Sequence, residues 1–299
     1  MTTFKQLEAF VAVVDLGSFE KAARSLDTSQ SNVSRQIASF EASFDVPLFN
    51  RDQRAARLTM TGQEVLQLAR GLLRQRSNLA ERFANADLVS STLRLGVTEL
   101  AAMTWLGGFI AELRRRYPRM RLEPEVGSSA YLHSRVRDGQ LDIAIVLSAV
   151  RTTEMARLPI GQAQFGWYCA SSLPIAPTLT LAEFERETLL LQGDVQSGGS
   201  VVGQWLQERS VHPTSSIPVD SLMALAGICA AGLGVAGMPS AVAQGPLKEG
   251  VLREVRIPIG APQMDYIALV RIDAISDLHR RVATLAREQC DFASTFHGY

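Results

Sequence analysis

Cysteine is scarce in this 299-residue sequence: Cys169, Cys229 and Cys290 lie far apart, in apolar or helical surroundings, with no Cys-x-x-Cys pair. An odd, dispersed set argues against a disulfide framework and a thiolate metal site, and leaves buried structural thiols. The four histidines, at 133, 212, 279 and 297, have no metal-ligand spacing either. Long apolar runs are missing as well. The richest, residues 222–238, is interrupted by Gly227, Gly232, Gly234 and Gly237 and is too short and broken to span a bilayer easily. The opening Met1-Thr-Thr-Phe-Lys-Gln-Leu-Glu puts charge ahead of any apolar run, unlike a signal peptide, so a cytoplasmic protein is expected.

Net charge is also lacking. Thirty Lys and Arg face thirty Asp and Glu. Over residues 1–60 the balance is again even, with basic residues at 5, 21, 24, 35, 51, 54 and 57 and acidic ones at 8, 15, 20, 27, 41, 45 and 52. Total charge therefore votes weakly against a nucleic-acid partner, and any such surface must come from local arrangement. Arg51, Arg54 and Arg57 cluster in one short segment, where phosphate contacts are expected.

What is present begins with three short helices. Thr3 and Gln6 fit a capping box, with Leu7, Phe10 and Val14 following at helical spacing. Gly17 stops this helix. Ser18 caps the next, in which Phe19, Ala22, Ala23 and Leu26 share one side; its small alanines permit a close helix crossing. After a very short turn at Asp27-Thr28, Ser29 caps a third helix, 30–40. There Val33, Ile37 and Phe40 share a narrow face, while Ser31, Ser34, Arg35 and Ala38 lie opposite. A small polar face with Gln30 and Arg35 long enough to reach base edges suits the major groove, and two helices joined by a tight turn make a helix-turn-helix. The alternative is a three-helix core whose polar face is merely solvated. The apolar return at 44–49 should cover the helix pair, and residues 50–59 read as a hairpin or wing beside the DNA backbone.

Thr61 and Glu64 suggest a second capping box opening a long helix to about Leu88, with a thin apolar seam at Val65, Leu68, Leu72, Leu79, Phe83 and Ala86. Such a seam needs a partner, either its own domain or the same helix of a second chain. Self-pairing is expected, with Leu72, Leu79 and Phe83 in the contact. From Thr92 the rhythm becomes strand, helix, strand, helix, strand, with strands at 93–97, 120–126 and 141–147 and helices at 103–117 and 131–138. That is parallel α/β architecture. A second cycle has strands at 165–169, 188–192, 215–219 and 234–238 and helices at 200–209 and 221–231. A strand at 263–270 then returns to the first lobe before a closing helix at 275–290. Two lobes joined by two crossings form a cleft suited to a small ligand. Gly232-Leu-Gly234-Val-Ala-Gly237 matches dinucleotide-loop spacing but follows a helix rather than a strand, which is the wrong context. No catalytic constellation or metal site emerges, and no cofactor is expected beyond a small-molecule effector.

The whole pattern resembles the LysR-type transcriptional regulators. The match runs from Phe10 through Val11, Val13, Gly17, Ser18, Phe19, Ala22, Ala23, Leu26, Ser29, Gln30, Val33, Ser34, Ile37, Phe40 and Glu41. It continues through Leu48-Phe49-x-Arg51 and Leu58-Thr59-x-Thr61-Gly62. Weaker features follow at 95–98, 117–118, 139–145 and 232–239. The resemblance implies a winged helix-turn-helix over 1–60, a linker and dimerisation helix over 61–90, and a periplasmic-binding-protein-like effector domain over 91–299. Its first lobe is expected at about 91–162 and 267–299, its second at about 163–266. It further implies duplex promoter DNA and a small effector as partners, a homodimer assembling to a tetramer, and contact with RNA polymerase. By position it assigns DNA contacts to Gln30, Ser34 and Arg35; Ser31, on the same outward face, is expected to join them, and the Arg51, Arg54 and Arg57 cluster is expected on the backbone. Effector contacts fall to Thr98, Glu99, Ser128 and Ser129, and across the cleft to Val195, Gln196, Ser197, Val219 and Asp220. Two readings of Ser128 and Ser129 stay open, as ligand contacts or as caps of the following helix. Ser31 replaces the proline most often found at its position, and Asn32 replaces a small apolar residue, which alters the expected operator preference. Glu99 puts an acid near the cleft mouth, pointing out or paired with an arginine. The competing function is an α/β small-molecule-binding protein or enzyme carrying a helical module that does not bind DNA.

Overall fold

Each of the first three helices starts at a residue whose side chain accepts a hydrogen bond from a free backbone N–H. Thr3 and Gln6 form a reciprocal capping box at α1 (Phe4–Leu16), Ser18 caps α2 (Phe19–Ser25) and Ser29 caps α3 (Gln30–Ala42). The computed structural model describes residues 2–44, 46–50, 57–83, 92–148, 154–193, 200–293 and 295. They fall into two compact units, Met1–Asn85 and Ala86–Tyr299.

In the first unit Leu7, Phe10, Val13, Ala22, Ala23, Val33, Ile37, Phe40, Leu48 and Phe49 form one core. Phe10 sits at its centre, tilted against Phe40 and edge-on to Phe49, with ring centroids 5.4 and 5.5 Å away. The wing is anchored by antiparallel pairing of Phe49 with Leu58 and by the Asn50 N–H donating to the Arg57 carbonyl at 2.8 Å.

The long helix, α4 (Met60–Phe83), starts earlier than the sequence suggested. Its cap is Thr59, whose hydroxyl oxygen accepts the Gly62 N–H at 3.0 Å and donates to the Pro47 carbonyl at 2.9 Å, so Thr61 is already helical. Gly62 is required by packing: a Cβ there would stand 2.2 Å from the Leu48 carbonyl oxygen. The expected single seam divides in two. Leu66 and Ala69, with Val65 and Leu73 beside them, pack onto the head, and buried Arg70 pairs with Asp15. Leu68 and Leu72 lie on another side and stay 70% and 52% exposed. The side chains of Leu79 and Phe83 lie outside the described ones.

The second unit is a mixed sheet in the order β2-β1-β3-β9-β4-β7-β5-β6, with β8 also paired to β4. β1 (Thr92–Val97) is parallel to β2 (Arg121–Val126) and β3 (Ile143–Leu147), while β5 (Thr188–Gln192) is parallel to β6 (Ser215–Val219) and β7 (Val235–Pro239). β4 (Met155–Ala170) joins the two halves. Its first part pairs with β9 (Gln263–Arg271), and from Phe165 it pairs with β7 and then β8 (Leu252–Val255). Residues 163–164 and 263–266, expected in the second lobe, therefore belong to the first lobe's ladder. From sequence the strand is expected only over 165–169, and Pro159 and Gly161 interrupt the stretch before it. A register shift between them absorbs both, on a stretch paired only to β9.

The helix expected over 103–117 is α6 (Leu106–Arg116), and a short helix that the sequence did not suggest, α5 (Glu99–Met103), precedes it. Thr104 separates them, its hydroxyl donating to the Leu100 carbonyl at 2.7 Å. The remaining helices are α7 (Ser129–Arg137), α8 (Leu181–Arg186), α9 (Val201–Gln207), α10 (Leu222–Ala230), α11 (Ser240–Lys248) and α12 (Asp277–Gln289). Apolar residues from both lobes, including Leu100 and Ala101 of the first and Leu222 and Leu225 of the second, share one core. Gly234 enters β7 where a Cβ would lie 2.1 Å from the Thr188 carbonyl oxygen, and at Gly237 one would lie 2.7 Å from the Trp167 ring, so these two glycines serve close packing rather than a phosphate loop, while Gly232 takes a left-handed turn at φ +81°.

Candidate DNA-reading face and effector cleft

Burial sorts α3 as its periodicity requires. Val33, Ile37 and Phe40 are in the core, whereas Gln30, Ser31, Ser34, Arg35 and Ala38 are exposed. The start of the helix is held firmly. Ser29 accepts from the Asn32 N–H, Asn32 donates through its amide to Thr28 Oγ1 at 2.9 Å, and the Ser29 and Ser31 hydroxyls are 3.0 Å apart. Asn32, which replaces a small apolar residue in the family pattern, thus ties the tight turn to the recognition helix. At the far end Glu41 accepts the Leu48 and Phe49 N–H groups at 2.7 and 3.1 Å, which fixes the wing relative to α3. Arg57 is exposed at the described edge of that wing; Arg51 and Arg54 lie outside the described residues. A polar, acid-free helix face beside a basic wing edge can present donors to base edges and phosphates together.

In the effector domain the parallel strands of each lobe end where a ligand cleft of an open α/β sheet is expected. Thr98 follows β1, is nearly buried, and donates its hydroxyl to the Tyr266 phenol oxygen at 3.3 Å. Burial holds the Tyr266 phenol protonated, well above its ordinary range. Ser128 does cap α7, accepting the Tyr131 N–H at 3.2 Å, and Ser129 Oγ accepts the Leu147 N–H at 3.2 Å. Both hydroxyl oxygens thus have local partners. Val219 and Asp220 meet Gln192 and Gly193: the Gly193 N–H donates to the Val219 carbonyl, and the Gln192 amide donates to the Asp220 carbonyl at 3.1 Å. Val195, Gln196 and Ser197 lie outside the described residues.

Glu99, the first residue of α5, pairs with no arginine among the described residues. Its carboxylate crosses to the second lobe, where it accepts from Ser221 Oγ at 2.9 Å, the Leu222 N–H at 2.8 Å and the Gln192 amide at 3.4 Å. A cavity of about 210 Å³ is lined by Leu147 and Ser148 from the end of β3, Gln204 and Trp205 from α9, and Met264 and Asp265 from β9, and by none of the groups of the Glu99 bridge. Sequence reading missed these residues. The one available signal was Trp205, an aromatic in a short helix that follows a glycine-rich turn. Cys169 and Cys229 are buried and Cys290 is half-buried, and burial pushes the Cys229 and Cys290 thiols up to about 12 and Cys169 upward too. Among the described residues no cluster of His, Cys, Asp or Glu could hold a metal ion, and no helix is long and apolar enough to cross a membrane.

Comparison with known proteins matches both units. Residues 4–63 fit the family model for bacterial regulatory helix-turn-helix proteins of the lysR family, and residues 86–291 fit the model for the LysR substrate binding domain. The HTH-type transcriptional regulator GltR of Bacillus subtilis is 24% identical over 247 residues, covering 83% of each chain. A full-length OxyR point variant from Pseudomonas aeruginosa superposes with a TM-score of 0.79 at 21% identity, covering 100% of this chain and 99% of that one. Full-length LysG from Corynebacterium glutamicum, with bound effector Arg, superposes with a TM-score of 0.62 at 20% identity, covering 96% and 97%. These likenesses establish the fold, and the two family models assign the rest: the chain belongs to the LysR family of transcriptional regulators, proteins with a helix-turn-helix DNA-binding domain and an effector-binding domain, and not to a family of enzymes.

Proposed function

We propose that this regulator reads promoter DNA with the outer face of α3, Gln30, Ser31, Ser34 and Arg35 meeting base edges while Arg57, with Arg51 and Arg54, meets phosphates. The sorting of α3 into a buried apolar face and an exposed polar one carries this reading. The Leu68–Leu72 row of α4 pairs with its counterpart in a second copy, and Leu79 and Phe83 extend that contact. Two heads then face two half-sites. A tetramer and contact with RNA polymerase accord with family membership, as does a cytoplasmic setting.

A small polar metabolite is taken between the lobes, without a further cofactor or metal. Thr98, at the end of β1, faces it together with Ser148 and Gln204 of the cavity, and the 195–197 and 219–220 segments approach from the second lobe. LysG, of the same fold, holds Arg as effector, which fits a ligand of this size and polarity. Ser128 and Ser129 enter as supports of α7 and β3, each with its hydroxyl proton and a second lone pair left to offer a ligand.

Salt titration on duplexes tests the DNA half. Binding to the chain's preferred operator should fall linearly on a log–log plot against salt, with a slope of about −0.9 per phosphate neutralised. Arg57→Ala should weaken all duplexes evenly and flatten that slope by about 1. A salt-independent affinity, or an unchanged slope in Arg57→Ala, would remove Arg57 from the phosphate contacts.

A further inference from the structure

Carboxylates in a helix's first turn ordinarily serve their own helix, yet Glu99 serves another. It stands at the first position of α5, whose cap residue Thr98 makes no side-chain capping bond. Instead the carboxylate reaches the start of α10, a nine-residue helix on the other lobe. Three donors converge on it there: the Ser221 hydroxyl, the Leu222 N–H and the Gln192 side-chain amide. Gln192 is itself fixed by its second bond, to the Asp220 carbonyl. A hydroxyl, a backbone N–H and an amide converging on one point at a helix N-terminus are what a carboxylate ligand would require. The chain fills that point from the opposite wall of its own cleft.

We propose that Glu99 is a tethered carboxylate that occupies the anion-accepting end of the interlobe cleft, bridges the lobes without a ligand, and excludes carboxylate effectors from the first turn of α10. This inference rests on the effector-cleft reading and deepens it. The effector presents hydroxyl, amide or cationic groups to this end of the cleft, and any carboxylate it carries lies elsewhere. A carboxylate arriving at α10 would have to displace Glu99, leaving that charge half-buried beside its own. Charge-assisted bonds from fixed donors are the stronger kind, so the bridge also ties the two lobes to each other.

The test is chemical rescue on the full chain. Thermal unfolding of wild type, Glu99→Ala and the double variant Glu99→Ala/Ser221→Ala is followed against sodium formate and sodium acetate, with sodium chloride at equal ionic strength as control. Glu99→Ala should lower the effector-domain transition by roughly 3 to 10 °C. It should then recover part of that loss in a saturable way with formate or acetate but not with chloride. The wild type should show no saturable response, and the double variant should need at least about tenfold more carboxylate. A folded Glu99→Ala as stable as wild type, or one rescued equally by chloride, would overturn the proposal. Should Glu99→Ala fail to fold, Glu99→Gln brings an amide donor among three donors and should be destabilised similarly; a Glu99→Gln as stable as wild type would also overturn it. The effector-cleft reading fails separately, through a metabolite whose binding to wild type is unaffected by Thr98→Val; the carboxylate titration needs no such metabolite.

Discussion

Phe10→Ala is expected to unfold the DNA-binding head at temperatures where the effector domain remains intact. Phe10 is fully buried and touches Phe40 of the recognition helix and Phe49 of the wing together. Truncating a buried phenylalanine costs about 3–5 kcal/mol, through lost transfer energy and the cavity left behind. A unit of some 85 residues has a total stability of that order, so the loss is decisive. The cavity opens where α1, α3 and the wing meet, so no single element can collapse into it without moving another. Calorimetry should show the head transition displaced or lost while the effector-domain transition keeps its midpoint, and operator binding should vanish. Equal displacement of both transitions would mean that the two units do not unfold independently.

Leu72→Asp is expected to lower operator affinity by about 10²–10⁴-fold without unfolding the head. The side chain is half exposed in the protomer and makes no part of the head core, which α4 meets through Leu66, Ala69 and Leu73. A carboxylate there is harmless to a lone chain. In a paired seam it becomes a buried charge without a partner. Separating the dimer turns two linked DNA contacts into independent ones, and the effective concentration that joined them is lost. Sedimentation should show Leu72→Asp as a monomer at concentrations where the wild type is a dimer. A variant that sediments and binds as wild type would place the dimer contact elsewhere. Leu68→Asp, one turn earlier and more exposed, should act in the same direction.

The head was legible in the sequence because its signals are local. Capping residues Thr3, Ser18 and Ser29 stand where their helices start, and the spacing of Val33, Ile37 and Phe40 fixes which face of α3 is left outward. The α4 boundary was missed because Thr59, not Thr61, has its hydroxyl turned toward the Pro47 carbonyl, and that carbonyl is brought there only by the fold of the head. The long β4 was hidden by Pro159 and Gly161, whose disruption is absorbed by pairing with β9, about a hundred residues away in sequence.

The cleft was read least well, for the same reason. Ser128 and Ser129 are hydroxyls whose partners, the Tyr131 and Leu147 N–H groups, depend on where α7 docks against β3. Nothing in the residues around Glu99 indicates that it bonds Leu222, since that contact exists only once both lobes are folded and together. Sequence periodicity reports what a residue's own element does with it, and contacts between lobes lie beyond that reach.

The central claim is that the outward face of α3 reads base sequence, and Arg35 tests it most directly. Wild type and Arg35→Ala are titrated at fixed salt against the preferred operator and a set of duplexes with one base pair changed at a time. Arg35→Ala should lose about 1–3 kcal/mol on the preferred operator, and it should lose discrimination at one base pair per half-site while keeping it elsewhere. An Arg35→Ala variant that binds the operator normally, with every base preference intact, would contradict the account.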